Sequence, residues 1–307
     1  MTMDSQKDTT SIGSDSSREN HPPTKSAQQS PTDTDDVDRD TEISLEKIKS
    51  ADQALSVIED SGFFKQSLYS FLVLTSVTEE VGHNLLQLLD QKHPHVRKGF
   101  FLRKKVLTLK IPSFTHEAPL AWFFDQLLQW NFNGQLTQVE VRRVRVMASP
   151  RVTAQFPGYV GDEKEPDTYI TPRGNPATGH PTVVMEVGFS QTYSSLVQAA
   201  KVWLEGVGPT VRKVILIKFF RCKSGIAGTI ELWGRDTTGN ARMVWSNRIF
   251  PVRGPVERPI YLTREDIFDG VVEPGRQGTD RLDLDLTSLR DIIVETGLDA
   301  VGLIPAP

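Results

Sequence analysis

Cysteine is almost missing from this chain: Cys222 is the only one in 307 residues, so an intrachain disulfide and a cysteine-rich zinc site are both excluded. Its place at the end of an apolar run suits a small apolar residue at a strand end. The first 42 residues contain no aromatic side chain and are rich in Ser, Thr, Asp, Gln and Pro. Such a segment cannot bury enough apolar surface to offset the entropy of ordering it, and it reads as a disordered tail. Nor is there a long hydrophobic run. The most apolar helical-looking stretch, 68–77, is too short to span a bilayer and is broken by Ser70, Thr75 and Ser76. The start of the chain has neither the basic residues nor the apolar run of a secretory signal. Together these point to a chain with no membrane partner and an intracellular location, cytoplasmic or nuclear. The net charge of -4 gives no global sign of a nucleic-acid partner, although a local basic stripe can sit inside an acidic total. The chain is long enough for one large domain or two modest ones, and no internal repeat is visible.

What is present begins with a helical pattern over 43–95. Ala51 to Ile58 reads as a short amphipathic helix. A longer one is expected from about Gln66, with Leu68, Leu72, Val81, Leu85 and Leu89 at helix-like spacing. Lys105-Val-Leu-Thr-Leu-Lys-Ile111 alternates like a strand and stops at Pro112. Ser113 or Thr115 can cap a following helix, which tolerates Pro119 in its first turn and continues its apolar side through Trp122, Phe123, Leu127 and Leu128 to Gly134. The stretch 138–147 reads as a strand and 150–165 as a loop. A short strand is expected over 167–170, a buried one over 182–188, a helix over 194–205 closed by Gly206, and the most apolar strand over 211–220. Beyond it, 228–233 and 243–249 look like a hairpin joined through Asp236 to Asn240. Thr263-Arg-Glu-Asp266 resembles a capping box, and 286–296 reads as a last amphipathic helix.

Three charged residues stand out. In Val183-Val-Met-Glu-Val-Gly188, Glu186 shares a strand face with Val184 and Gly188. A lone carboxylate on so apolar a strand needs a cation or hydrogen-bond partners. The structural candidates are Arg143 or Lys218; the functional one is a divalent metal, which draws in a second carboxylate. Asp167 can supply it: in Glu165-Pro-Asp167, Pro166 forces extended geometry on Glu165 and opens a neighbouring strand without needing its own N–H. Lys201 lies at the border of the helical apolar stripe Leu196, Ala199, Ala200, Trp203, Leu204 and Val207. From there it can either snorkel to water or reach across to Glu186.

In this order, Glu165-Pro-Asp167, Val183-Val-Met-Glu-Val-Gly188, a helix with Lys201 followed by Trp203, and a Val/Ile strand resemble the PD-(D/E)XK nuclease superfamily. The likeness covers 107–220 and is nearest to the branch of restriction-endonuclease-like proteins whose lysine has moved onto the helix after the third strand. The resemblance implies an α/β fold with a mixed central sheet, built as an αβββαβ restriction-endonuclease-like core (101–250, with the extra hairpin). A disordered tail (1–42) and a helical prefix (43–100) would precede it, and a β-rich C-terminal extension (251–307) would follow. It also implies a magnesium- or manganese-dependent hydrolase of DNA or RNA. Asp167, Glu186 and the carbonyl of Val187 would hold the metal, and Lys201 would orient water or screen the phosphate. Glu117 would be an accessory acid. Gly188 stands where the standard motif carries its lysine, a departure that leaves a second reading open: a catalytically inactive nuclease-fold protein acting as a binding or assembly module. A third is an unrelated α/β protein whose carboxylates are structural. Nucleic acid stays open as a partner, and the pattern says nothing of oligomeric state.

Overall fold

The first described segment already differs from the sequence reading, because 40–44 is structured. The computed structural model describes residues 40–65, 71–112, 114–148, 150–173, 180–223, 225–252, 259–298 and 304–307, with the side chains of 114–116, 296 and 297 left aside. The expected tail therefore lies outside the described residues apart from its last three. Strand β1 (Thr41–Ser44) pairs in parallel with β2 (Phe71–Thr75). Between them comes α1 (Ala51–Asp60), capped by the Ser50 hydroxyl, which accepts from the Gln53 N–H.

Helix α2 (Glu79–Lys92) follows, then β3 (Arg97–Phe101) and β4 (Val106–Lys110). The prefix expected to be helical thus contributes strands, and the helix expected from Gln66 is corrected. Phe71-Leu-Val-Leu74 is an apolar run with no polar break before Thr75, so helical and strand periodicity fit it equally. Hydrogen bonding to β1 and β4 decides for a strand. The helix starts only at Thr78, whose hydroxyl caps it, with Glu79 and Glu80 in the first turn and Lys92 in the last, as the helix dipole favours.

Helix α3 (Phe114–Phe132) carries Pro119 in its second turn, one turn deeper than expected. The stretch read as a strand over 138–147 is a short helix, α4 (Gln138–Arg143), running into β5 (Val144–Met147). The reason is local: Thr137 and Glu140 form a reciprocal capping box that fixes a helix start there. Two-residue strands β6 (Val152–Thr153) and β7 (Glu163–Lys164) precede β8 (Thr168–Pro172) and β9 (Val183–Gly188). Helix α5 (Tyr193–Lys201), capped by Thr192, runs on into a π-helical turn, Val202–Val207. Strands β10 (Lys213–Cys222), β11 (Gly225–Arg235) and β12 (Ala241–Phe250) form the expected strand and hairpin. The end of the chain contributes β13 (Ile260–Thr263), α6 (Arg264–Phe268) with the Thr263–Asp266 capping box, β14 (Arg281–Leu284) and α7 (Leu286–Ile292).

Among the described residues the strands form two six-stranded mixed sheets and one two-stranded ribbon. The first sheet has the order β1-β2-β4-β3-β7-β6, the second β12-β11-β10-β9-β8-β5, and β13 pairs with β14. In the second sheet, β8 runs antiparallel to both β5 and β9, and β10 is parallel to β9. Helices α1 and α2 pack their buried Leu55, Ile58, Leu85 and Leu89 with Leu72, Leu74 and Leu107 of the first sheet. The second sheet is covered on both faces. Val183, Met185 and Val187 pack with Trp122 and Phe123 of α3 and with Leu289 of α7. On the other side Val184 and Leu216 pack with Leu196, Ala200 and Trp203. The fold is therefore a mixed α/β architecture with N-terminal helices and a β-rich C-terminal part. Among the described residues, no helix is long and apolar enough to cross a membrane.

Candidate functional site

Glu165-Pro166-Asp167 is the three-residue step by which the chain leaves the first sheet at β7 and enters the second at β8. Thr168 pairs with Met185, which brings Asp167 level with Glu186 on the adjacent strand. The Asp167 Oδ2 accepts a hydrogen bond of 2.8 Å from the Val187 N–H. Alternation on β9 turns Glu186 to the α5 side, where the Trp203 indole donates to its Oε1 at 2.6 Å. The two carboxylates expected to share a site do so. Both are buried, Glu186 with no exposure at all.

Their partners come from the other sheet. The Lys110 ammonium, at the end of β4, lies 2.5 Å from the Asp167 Oδ2, 3.1 Å from the Val187 carbonyl and 3.7 Å from the Glu186 Oε2. The Lys164 ammonium, on β7, lies 3.1 Å from the Glu186 Oε1. All four charged groups are buried, and two ammoniums balance two carboxylates. A second ion-pair group sits at the other end of the same step. Glu165 accepts from the Lys98 N–H at 3.1 Å and pairs with Arg151 at 2.9 Å, while Arg151 and Lys98 also reach Asp90 at 2.6 and 3.3 Å. Charged residues on either side of Pro166 thus tie β7 and β8 to their surroundings, and the Asp167–Glu186 group staples the two sheets.

Arg143 and Lys218, the structural partners proposed for Glu186, are engaged elsewhere. Arg143 pairs with Glu273 at 2.6 Å, and Lys218 donates to the Phe189 carbonyl at 2.9 Å. Lys201 does not join the cluster: among the described residues no hydrogen bond or ion pair links it to Asp167 or Glu186. It is half-buried beside Lys104, whose pKa is lowered by burial and, in lesser part, by the charge of Lys201, against the pull of Asp162. Trp203 reaches Glu186 from the π-helical turn that follows α5. Glu117, near the start of α3, is exposed but faces the cluster. Partial desolvation raises its pKa, Arg97 and Lys110 oppose the rise, and Asp167 adds to it. At Gly188 an added Cβ would meet only ordinary contacts, the nearest being Leu196 Cδ1 at 3.4 Å. Close packing at the Cβ therefore does not force the glycine.

Among the described residues, the Glu186 Oε2 is one of the buried side-chain oxygens without a hydrogen bond, and it is the one that lies in this cluster. The ammonium 3.7 Å away already neutralises it. Among the described residues, no group of three or more His, Cys, Asp or Glu side chains is placed to hold a metal ion. A divalent cation brought to these atoms would face two ammoniums, so the residues as arranged do not fit one. No family model matches this chain, and no curated protein matches it.

Proposed function

We propose that this chain is a non-hydrolytic binding or assembly module built on a nuclease-like αβββαβ arrangement. One observation carries this reading. The Lys110 ammonium touches the same three groups, Asp167, Glu186 and the Val187 carbonyl, that the PD-(D/E)XK resemblance assigns to a metal ion. A monovalent cation delivered by the first sheet takes the position where the resemblance would put magnesium. The order α3, β5, β8, β9, α5, β10, with β10 parallel to β9 and with α4, β6 and β7 inserted, supports that resemblance. In this reading the carboxylates have passed from catalysis to fastening one sheet onto the other. The glycine at 188 and the position of Lys201 away from the cluster agree with it.

The test is metal dependence. Saturating magnesium or manganese should leave the melting temperature of the wild-type protein unchanged, because a ligand that binds only the folded state must raise it by mass action. Single- and double-stranded DNA and RNA should remain uncut. A metal-induced rise that disappears in Asp167→Ala, together with metal-dependent cleavage, would overturn the proposal in favour of a nuclease.

A further inference from the structure

Helix α3 is apolar on both sides. Its inner side, Ala118, Trp122, Phe123, Leu127 and Trp130, belongs to the core beneath the second sheet. Its outer side carries Phe124, Leu128 and Phe132, which are 48, 56 and 88 % exposed. Leu128 was expected on the core side; it faces outward. Single exposed apolar residues are ordinary, but three large ones in line on a helix are not scattered. They expose roughly 350 Å² of apolar surface, within the size range of patches that carry interactions on soluble proteins.

We infer that this face of α3 is a self-association surface, and that its occupant is α3 of a second copy of the chain packed antiparallel across a two-fold axis. The 39 residues before the described part hold only Met1, Met3, Ile12, Ala27 and Val37 as sizeable or small apolar side chains, too few to cover two phenylalanines and a leucine. The spacing is self-complementary. Phe124 and Phe132 lie four residues, about 6 Å, on either side of Leu128. Inverting a copy about Leu128 brings its Phe124 level with Phe132 of the first, so one patch serves both partners, as an isologous contact requires. Between Phe124 and Phe132 the only charged residue is Asp125, so the approach buries no cluster of like charge. The patch is smaller than the ~800 Å² per partner of a standard stable interface. The dimer is therefore weak and forms with rising concentration. The inference goes beyond the proposed function and uses a surface apart from the buried carboxylates. It stands or falls whether or not those carboxylates bind metal.

Sedimentation equilibrium of the full chain tests it, without added metal. The apparent mass should rise from 34.3 kDa towards twice that value as concentration increases. Leu128→Glu and Phe132→Glu, both at exposed positions, should hold the mass at the monomer value while melting like wild type. Val271→Glu, at an exposed valine outside α3, should still dimerise. In a Cys222→Ser background, Leu128→Cys should form a disulfide-linked dimer under oxidising conditions. A wild-type protein that stays monomeric over the whole range, or a dimer that survives Leu128→Glu, overturns the inference.

Discussion

Glu186→Gln is the most informative single change, because it alters charge at nearly constant volume in the middle of the inter-sheet cluster. The Glu186 Oε1 accepts from Trp203 at 2.6 Å and faces Lys164 at 3.1 Å, while the Oε2 lies 3.7 Å from Lys110. A glutamine can keep the indole bond through its carbonyl oxygen, but its amide then turns two hydrogens towards an ammonium. The cluster is left with two buried cations against one carboxylate, Asp167. Removing one partner from a buried, hydrogen-bonded ion pair costs about 3–5 kcal/mol, because the remaining charge is uncompensated. For a chain of this size each kcal/mol moves the melting temperature by roughly 2–4 °C, so a drop of about 6–20 °C is expected. Thermal unfolding followed by circular dichroism measures the drop, and urea unfolding at neutral pH, followed by tryptophan fluorescence, measures the free energy. The partner variant Lys164→Met should destabilise in the same direction, and the Glu186→Gln/Lys164→Met pair should cost less than the sum of the two. An unchanged midpoint in Glu186→Gln, with a metal-induced stabilisation of wild type that this variant loses, would refute the staple and restore the metal site.

Three further outcomes are expected. Asp40 accepts from the Thr192 N–H at 2.7 Å and from the Thr192 and Ser195 hydroxyls at the start of α5, so Asp40→Ala should cost about 1–3 kcal/mol and speed amide exchange in the first turn of that helix. Glu231 is raised in pKa by burial, against hydrogen bonds from Trp233 and Tyr193 that lower it. A folded-state pKa above the unfolded one means the native state holds the proton longer, so this group's contribution falls as pH climbs from about 4.3 to the folded-state value. Glu231→Gln should therefore flatten that slope and leave the protein at least as stable at pH 7, as read by urea midpoints across the range. Arg264, almost fully buried, pairs with Glu140 and Asp280 and donates to the Gln135 carbonyl. Arg264→Met should cost about 3–5 kcal/mol by leaving the buried Glu140 unpaired, which the same unfolding assay reads.

The juxtaposition of Asp167 and Glu186 was legible in the sequence because each step in the argument was local. Proline set the strand entry, and alternation set the face of Glu186. The order α3, β8, β9, α5, β10 was legible for similar reasons, since these strands and helices carry their own periodicity and stops, whereas α4 and the two-residue strands β6 and β7 were not read. Local signals also explain the errors. Phe71–Thr75 fits two periods, and the Thr137–Glu140 box outweighs four residues of apparent alternation. The orientation of α3 was only half legible, because a helix apolar all round gives its wheel no preferred side.

Lys110 and Lys164 could not be assigned to the cluster from sequence. Lys110 reads as the polar member of an alternating strand, and Lys164 as one charge in a charged loop. Their roles arise from the docking of one sheet against the other, which no local period encodes. A central strand with a buried glutamate demands a cation but does not name it. Four were available in principle: an Arg or Lys of a neighbouring strand, a helix lysine, a metal, or a lysine from another layer. The choice follows from electrostatics at close range. An ammonium 2.5 Å from Asp167 and 3.1 Å from the Val187 carbonyl satisfies the carboxylate, the carbonyl and itself at once, without the repulsion that a divalent ion would meet beside two lysines. With that ammonium in place, a lysine at 188 or a reach by Lys201 would bring a third positive charge to the two carboxylates that Lys110 and Lys164 already face. The acidic motif is the part that short-range pattern can read, and the cation that answers it belongs to the tertiary fold.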